Sequence, residues 1–195
     1  MCTKIGEVVE ANTISFAAQS YELHQAPPFG SLVRASDGEA DIFGLVYSVV
    51  TASIDTGRRP IARGRDEQDE EDIYRNNPQL PKLLRTDFDS LIVGFRQAGT
   101  VRQYLPPRPP RLHGFVYLSG NAEIVEFTQS LDFLNTIVSC SLGAPLDELA
   151  AACVRLAEEA RGGDYSFRVA AGRELAMLLS TNQQRLKAIL RRIRQ

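Results

Sequence analysis

Lys4-Ile5-Gly6-Glu7-Val8-Val9-Glu10, Phe29-Gly30-Ser31-Leu32-Val33-Arg34 and Phe43-Gly44-Leu45-Val46-Tyr47-Ser48-Val49-Val50 are the stretches whose reading decides the fold. Each is a short apolar run with partial alternation, and Gly, Pro, Asp and Asn clusters separate such runs from one another, the pattern of strands rather than helices. The pattern persists to about Leu118 and gives candidate strands at 4–10, 13–18, 31–36, 41–54, 89–97 and 99–104. Ser36-Asp37-Gly38-Glu39 supplies the Asp-Gly pair of a hairpin tip, which makes 31–36 and 41–54 antiparallel neighbours. Gly30 is expected to turn the chain sharply into its strand. Six short strands with no long helix between them point to a closed or nearly closed small β-barrel, because closure removes exposed edges. A barrel of that size fills its interior with side chains, leaving the outer wall and loops to interact.

From Asn121 the period becomes helical. Ile124, Phe127, Leu131, Leu134 and Val138 recur at three- and four-residue steps and predict a helix over about 122–141. Gly143-Ala144-Pro145 ends it. A second helix follows at about 146–161, with Asp147 and Glu148 in its first turn and Gly162-Gly163 as its stop. Asp164 opens a third at about 165–180, and Thr181 or Asn182 a fourth carrying Leu186, Ile189, Leu190 and Ile193. The expected fold class is α+β: a small N-terminal β-barrel of about six strands over 1–118, with a charged loop near 57–82, then an α-helical domain of about four helices, a small bundle, over 119–195.

Gly57 to Asp72 runs from a basic block straight into an acidic one, and two readings stay open: a solvated loop whose opposite charges pair locally, or a docking loop for a partner of mixed charge. Asn76-Asn77-Pro78-Gln79-Leu80-Pro81 keeps the chain irregular to about residue 82. Leu105-Pro106-Pro107-Arg108-Pro109-Pro110-Arg111 reads as an extended, stiff spacer between barrel and helices, or as a ligand for a proline-recognition domain. The 195 residues are 44% hydrophobic with a net charge of −2, so no whole-molecule field draws the chain to nucleic acid or anionic lipid. An odd number of cysteines, Cys2, Cys140 and Cys153, favours a reducing compartment. With no apolar run of ~18 residues and no signal-peptide pattern, the expected location is the cytoplasm.

Candidate chemistry is sparse. His24 and His113 lack a second ligand at metal spacing, and Cys140 and Cys153 fall at core positions of predicted helices, so structural roles are expected and no metal or other cofactor is assigned. Ser139 and Ser141 flank Cys140 at a helix end, where short polar side chains satisfy backbone groups. Asp66 to Asp72 is too exposed and too self-repelling for a converging acid/base pair. A pocket between barrel and helices lined by His113 and Tyr117 is the one enzymatic alternative. The last helix carries Arg185, Lys187, Arg191, Arg192 and Arg194, which serve its dipole, a phosphate backbone or a docked partner.

At this point the barrel residues resemble a known family, the HAS-barrel found at the N-terminus of HerA-type DNA-translocating ATPases and of the α and β subunits of rotary ATP synthases. The resemblance rests on Ile5-Gly6-Glu7-Val8-Val9, on Phe29 to Val33, on Gly44-Leu45-Val46 entering a long strand, and on the proline-rich exit followed by His113-Gly114-Phe115-Val116. It covers roughly 1–118, with an acidic insertion near 62–80. It implies a barrel that packs into a ring at one end of an oligomer. The family's ATP chemistry belongs to a separate domain, and here no Gly-x-x-x-x-Gly-Lys-Ser/Thr exists to hold a triphosphate. The expected function is therefore non-enzymatic assembly: a homo-oligomer or docking to a protein partner of the ATPase type, with no membrane. The alternative is a single-stranded nucleic-acid-binding module that combines the basic last helix with Tyr47, Phe88, Phe95 and Tyr104 beside Arg96 and Arg102.

Overall fold

Residues 3–55 and 57–194 are described by a computed structural model; Cys2 lies outside them. Seven strands form one antiparallel sheet: β1 (Thr3–Ala11), β2 (Ser15–Ser20), β3 (Leu32–Ser36), β4 (Asp41–Ser53), β5 (Leu84–Gln97), β6 (Thr100–Arg102) and β7 (Phe115–Leu118). Their order is β2-β1-β7-β3-β4-β5-β6, and β2 also pairs with β5, with Ala17 opposite Asp89, so six strands close into a ring to which β6 is added. Inside lies one apolar cluster that includes Phe16, Val33, Ile42, Val46, Phe88, Ile92, Phe95 and Val116, each 0–2% exposed. Phe43, Leu45, Leu91 and Val93 face the other way and join the core of the helices. Bulges between Phe43 and Gly44 and between Val46 and Ser48 let β4 serve both faces.

Three expectations about the sheet are corrected. A seventh strand, β7, lies between β1 and β3, and its four residues were too few to register as a strand after a proline-rich segment. β5 begins at Leu84 rather than 89, because its paired aspartates, Asp87 and Asp89, break the apolar run while the backbone stays laddered to β4. The proline segment is no spacer between sheet and helices. It joins β6 to β7 with Pro106 and Pro110 buried, and is laced to the sheet where Arg111 N donates to Ser36 O (3.0 Å) and His113 N to Val8 O (2.9 Å). The hairpin at Asp37-Gly38 forms as expected, with Ser36 opposite Asp41.

Seven helices are present among the described residues: α1 (Glu70–Asn76), α2 (Leu80–Leu83), α3 (Asn121–Phe127), α4 (Phe133–Ser139), α5 (Leu146–Ala160), α6 (Tyr165–Leu178) and α7 (Gln183–Ile193). The last three match their expected spans, with Asp164 and Asn182 accepting from Ser166 N and Arg185 N as caps. None of the described helices is long and apolar enough to cross a membrane. The stretch expected to be irregular contains α1 and α2; Asp69 caps α1, accepting from Glu71 N, and Glu70, Glu71 and Asp72 suit the positive end of its dipole.

The helix expected over 122–141 is two helices, α3 and α4, so five rather than about four follow residue 119. Thr128 Oγ1 donates to Ile124 O (2.6 Å) at the break, and Gln103 fills it from the sheet side. The Gln103 amide donates to Phe127 O (2.6 Å) and Ser130 O (3.0 Å), while its oxygen accepts from Phe133 N (2.9 Å). One side chain thus satisfies the end of α3 and the start of α4. Replacing Gln103→Ala leaves these backbone groups to poorer partners and lowers stability by about 2 kcal/mol, at roughly 1 kcal/mol for each of the two better-placed bonds, read from the urea midpoint.

Candidate functional site

β4 and β5 run on as a two-stranded arm, paired to Ser53 opposite Leu84, with Thr51 and Thr86 hydroxyls 2.9 Å apart. The chain leaves the arm at Ile54 and returns at Leu83, where Ile54 N donates to Leu83 O (2.9 Å). The basic-then-acidic stretch lies between those two residues. Ile73 of α1 packs onto Gly64, where a Cβ would sit 2.4 Å from Ile73 Cδ1, so any larger residue at 64 displaces it. His24, at φ +64°, clasps the far side: its Nε2 lies 2.9 Å from Tyr74 Oη, and its backbone N–H donates to Thr86 Oγ1 (2.9 Å).

The outcome is a half-open cavity of about 570 Å³. Its floor is aliphatic: Ile54, Ile73, Leu80 and Leu83, with Ile54 and Leu83 about half exposed, and Ile61, also on the lining, stands 79% exposed. Arg58, Arg59, Arg63 and Lys82 stand around it against one acid, Asp55, which pairs with Arg58 at 3.3 Å. An apolar floor ringed by charge offers burial to a partner's apolar groups and electrostatic positioning to its charged ones.

No family model matches this chain, and no curated protein does.

Of the five cations singled out on the last helix, two are engaged at the N-terminus of α5. Arg185 Nε donates to Asp147 Oδ1 (2.7 Å) and its Nη1 to Val138 O (3.1 Å), and Arg192 pairs with Glu148. Lys187, Arg191 and Arg194 are exposed and make no ion pair among the described residues. Phe88 and Phe95 sit inside the ring, and Tyr47 packs half-buried on the helical core. Tyr104 is exposed and edge-on to Phe95, with ring centroids 5.3 Å apart. Arg96 is held by Asp41 (2.7 Å), Glu123 (3.1 Å) and Glu126 (3.0 Å), whereas Arg102 and Tyr104 are exposed together, Arg102 Nη1 donating to Tyr104 Oη (3.4 Å).

His113 Nδ1 lies 2.5 Å from Glu7 Oε1 at the sheet surface, and Tyr117 lies under the Arg34 guanidinium, 5.2 Å from its ring centre. Burial pushes the Cys153 thiol up to about 12, and Cys140 is half-buried beside the same core. At the root of the arm, burial raises the Asp87 carboxyl above its ordinary range, opposed by Arg85, whose Nε lies 2.8 Å from Oδ2. No group of three metal-ligating side chains occurs among the described residues.

The sequence leaves local pairing and docking both open for the charged stretch and does not single out its apolar lining, although Ile54, Ile61, Ile73, Leu80 and Leu83 are aliphatics dispersed through otherwise polar text. His24, for which the sequence predicts a structural role, is the clasp of the arm. His24→Ala removes that clasp, and limited trypsin digestion is expected to cut within 58–82 several-fold faster while the ring stays intact; unchanged cleavage assigns the arm's order to other contacts.

Proposed function

We propose that this chain is a non-enzymatic assembly protein of the cytoplasm, a HAS-barrel-like β-barrel followed by an α-helical domain, that docks a protein partner through the arm built on β4 and β5. The observation that carries this reading is the arm's groove: aliphatic residues held open to solvent, framed by four cations. A stable fold gains nothing from leaving Ile54, Ile61 and Leu83 in water, and exposed apolar surface rimmed by charge is the composition of a docking site. The packed interior of the ring supports the same reading, since side chains already occupy the volume in which a larger barrel would hold a ligand. The resemblance to ring-ATPase barrels makes an oligomeric partner the expected setting.

Photocrosslinking tests it. A benzophenone side chain placed at position 61 and irradiated in native lysate is expected to form discrete protein adducts, whereas the same group at Met177, 66% exposed on α6, forms none. Equal labelling at the two sites, or none at 61, removes the docking arm.

A further inference from the structure

We propose that the groove is a self-docking surface, filled by the same arm of a second copy of this chain. The inference rests on the docking role proposed above and names its partner.

The charges on the arm are divided in a way that suits itself. Arg59 and Lys82 make no ion pair among the described residues, and Arg63 is held by a neutral group, Asn77 Oδ1 at 3.2 Å. On the next stretch Asp66, Glu70 and Glu71 likewise have no ion pair among the described residues; the local pairs that do form are Asp55 with Arg58 and Asp72 with Arg75. A cationic patch and an anionic patch therefore sit side by side on one anchored segment. Across a two-fold axis the cations of each copy face the acids of the other, so every ionic contact is made twice. Ile61, standing out from the arm, is the apolar side chain available to enter the aliphatic floor opposite.

Other occupants satisfy only one patch. An anionic lipid surface or a nucleic-acid backbone attracted to Arg59, Arg63 and Lys82 meets the acids of 66–72 on the same arm, and the floor offers aliphatic carbon with Tyr74 as its one aromatic, which is poor stacking surface for bases. A uniformly basic partner is repelled by the rim. A second copy answers both patches and the apolar floor together.

Sedimentation velocity on the full chain from about 1 to 100 µM, the range in which a small interface associates, tests the proposal. At low salt the mass is expected to rise from one chain to two, and to return toward one at roughly 0.5 M salt, where the Debye length falls to a few ångströms. Arg59→Glu with Arg63→Glu weakens association at least tenfold, and Glu70→Lys with Glu71→Lys does the same. An equimolar mixture of the two double variants restores the two-chain species, which a misfolded variant would not do. A chain that stays single at every concentration, or double variants that associate like the parent, overturns the proposal, as does binding of phosphatidylserine vesicles or a labelled single strand in place of self-association. A single chain whose position 61 still captures another protein overturns the second-copy assignment and leaves the docking arm; one that captures nothing overturns both.

Discussion

Phe43→Ala is expected to lower stability by about 3–5 kcal/mol, the cost of removing a fully buried aromatic from a core that cannot collapse around it. Phe43 is 0% exposed on the helix-facing side of β4. Its ring lies 4.9 Å from Phe127, which lies 5.6 Å from Phe133, and the Arg96 guanidinium stands 5.4 Å from its centre. Sheet and α3 therefore meet at Phe43, and α4 joins them through Phe127. Against a total stability of about 5–15 kcal/mol, the loss takes a large fraction, and the melting temperature is expected to fall by about 6–20 °C in a chain of this size. Helix and strand signals are expected to melt together, because Phe43, Leu45, Leu91 and Val93 share one core cluster with the helices. A drop below about 1 kcal/mol, or a helical transition separate from that of the sheet, would refute this account of the core.

Gly30→Ala is expected to cost about 2–4 kcal/mol, from two sources that a double-mutant cycle separates. At φ +85° a non-glycine residue carries roughly 1 kcal/mol of backbone strain. The added Cβ would also sit 2.6 Å from Ala152 Cβ on α5, an overlap worth about 1–3 kcal/mol. Ala152→Gly removes the overlap and leaves the strain. In that background Gly30→Ala is expected to cost only about 1 kcal/mol, giving a coupling of about 1–3 kcal/mol between the β2–β3 connection and α5. Equal costs in the two backgrounds would mean that α5 gives way instead, and that the end of the sheet is not seated against it.

The strands that could be read from residues were those whose apolar runs are bounded by turn chemistry, as Ser36-Asp37-Gly38-Glu39 bounds β3 and β4. α5 could be read because Asp147 and Glu148 follow Pro145 in its first turn, and α6 and α7 because Asp164 and Asn182 mark their starts. What escaped depends on partners distant in sequence. The apolar period of Ile124, Phe127, Leu131 and Leu134 continues through the break between α3 and α4, and Gln103, more than twenty residues away, determines that the backbone stops there. Phe115–Leu118 is a strand because β1 and β3 stand ready on either side of it, which no property of those four residues announces. α1 was hidden by charge: Ile73 and Tyr74 are two apolar residues among many ionic ones, and their contacts with Gly64 and His24 exist only once the arm is folded. The same dependence on the fold explains why the stretch from Gly57 to Asp72 was legible as charge and the groove beside it was not.

The placement of β7 sets a timetable for synthesis. By residue 97 the nascent chain holds everything needed for a β1-β2-β5-β4-β3 sheet, yet its two flanks, β1 and β3, gape until residues 115–118 emerge and drop between them. At roughly 5–20 residues per second that interval is about 1–4 s. A ribosome stalled before residue 115 would carry a half-made sheet with two sticky borders, a species prone to join its neighbours rather than wait.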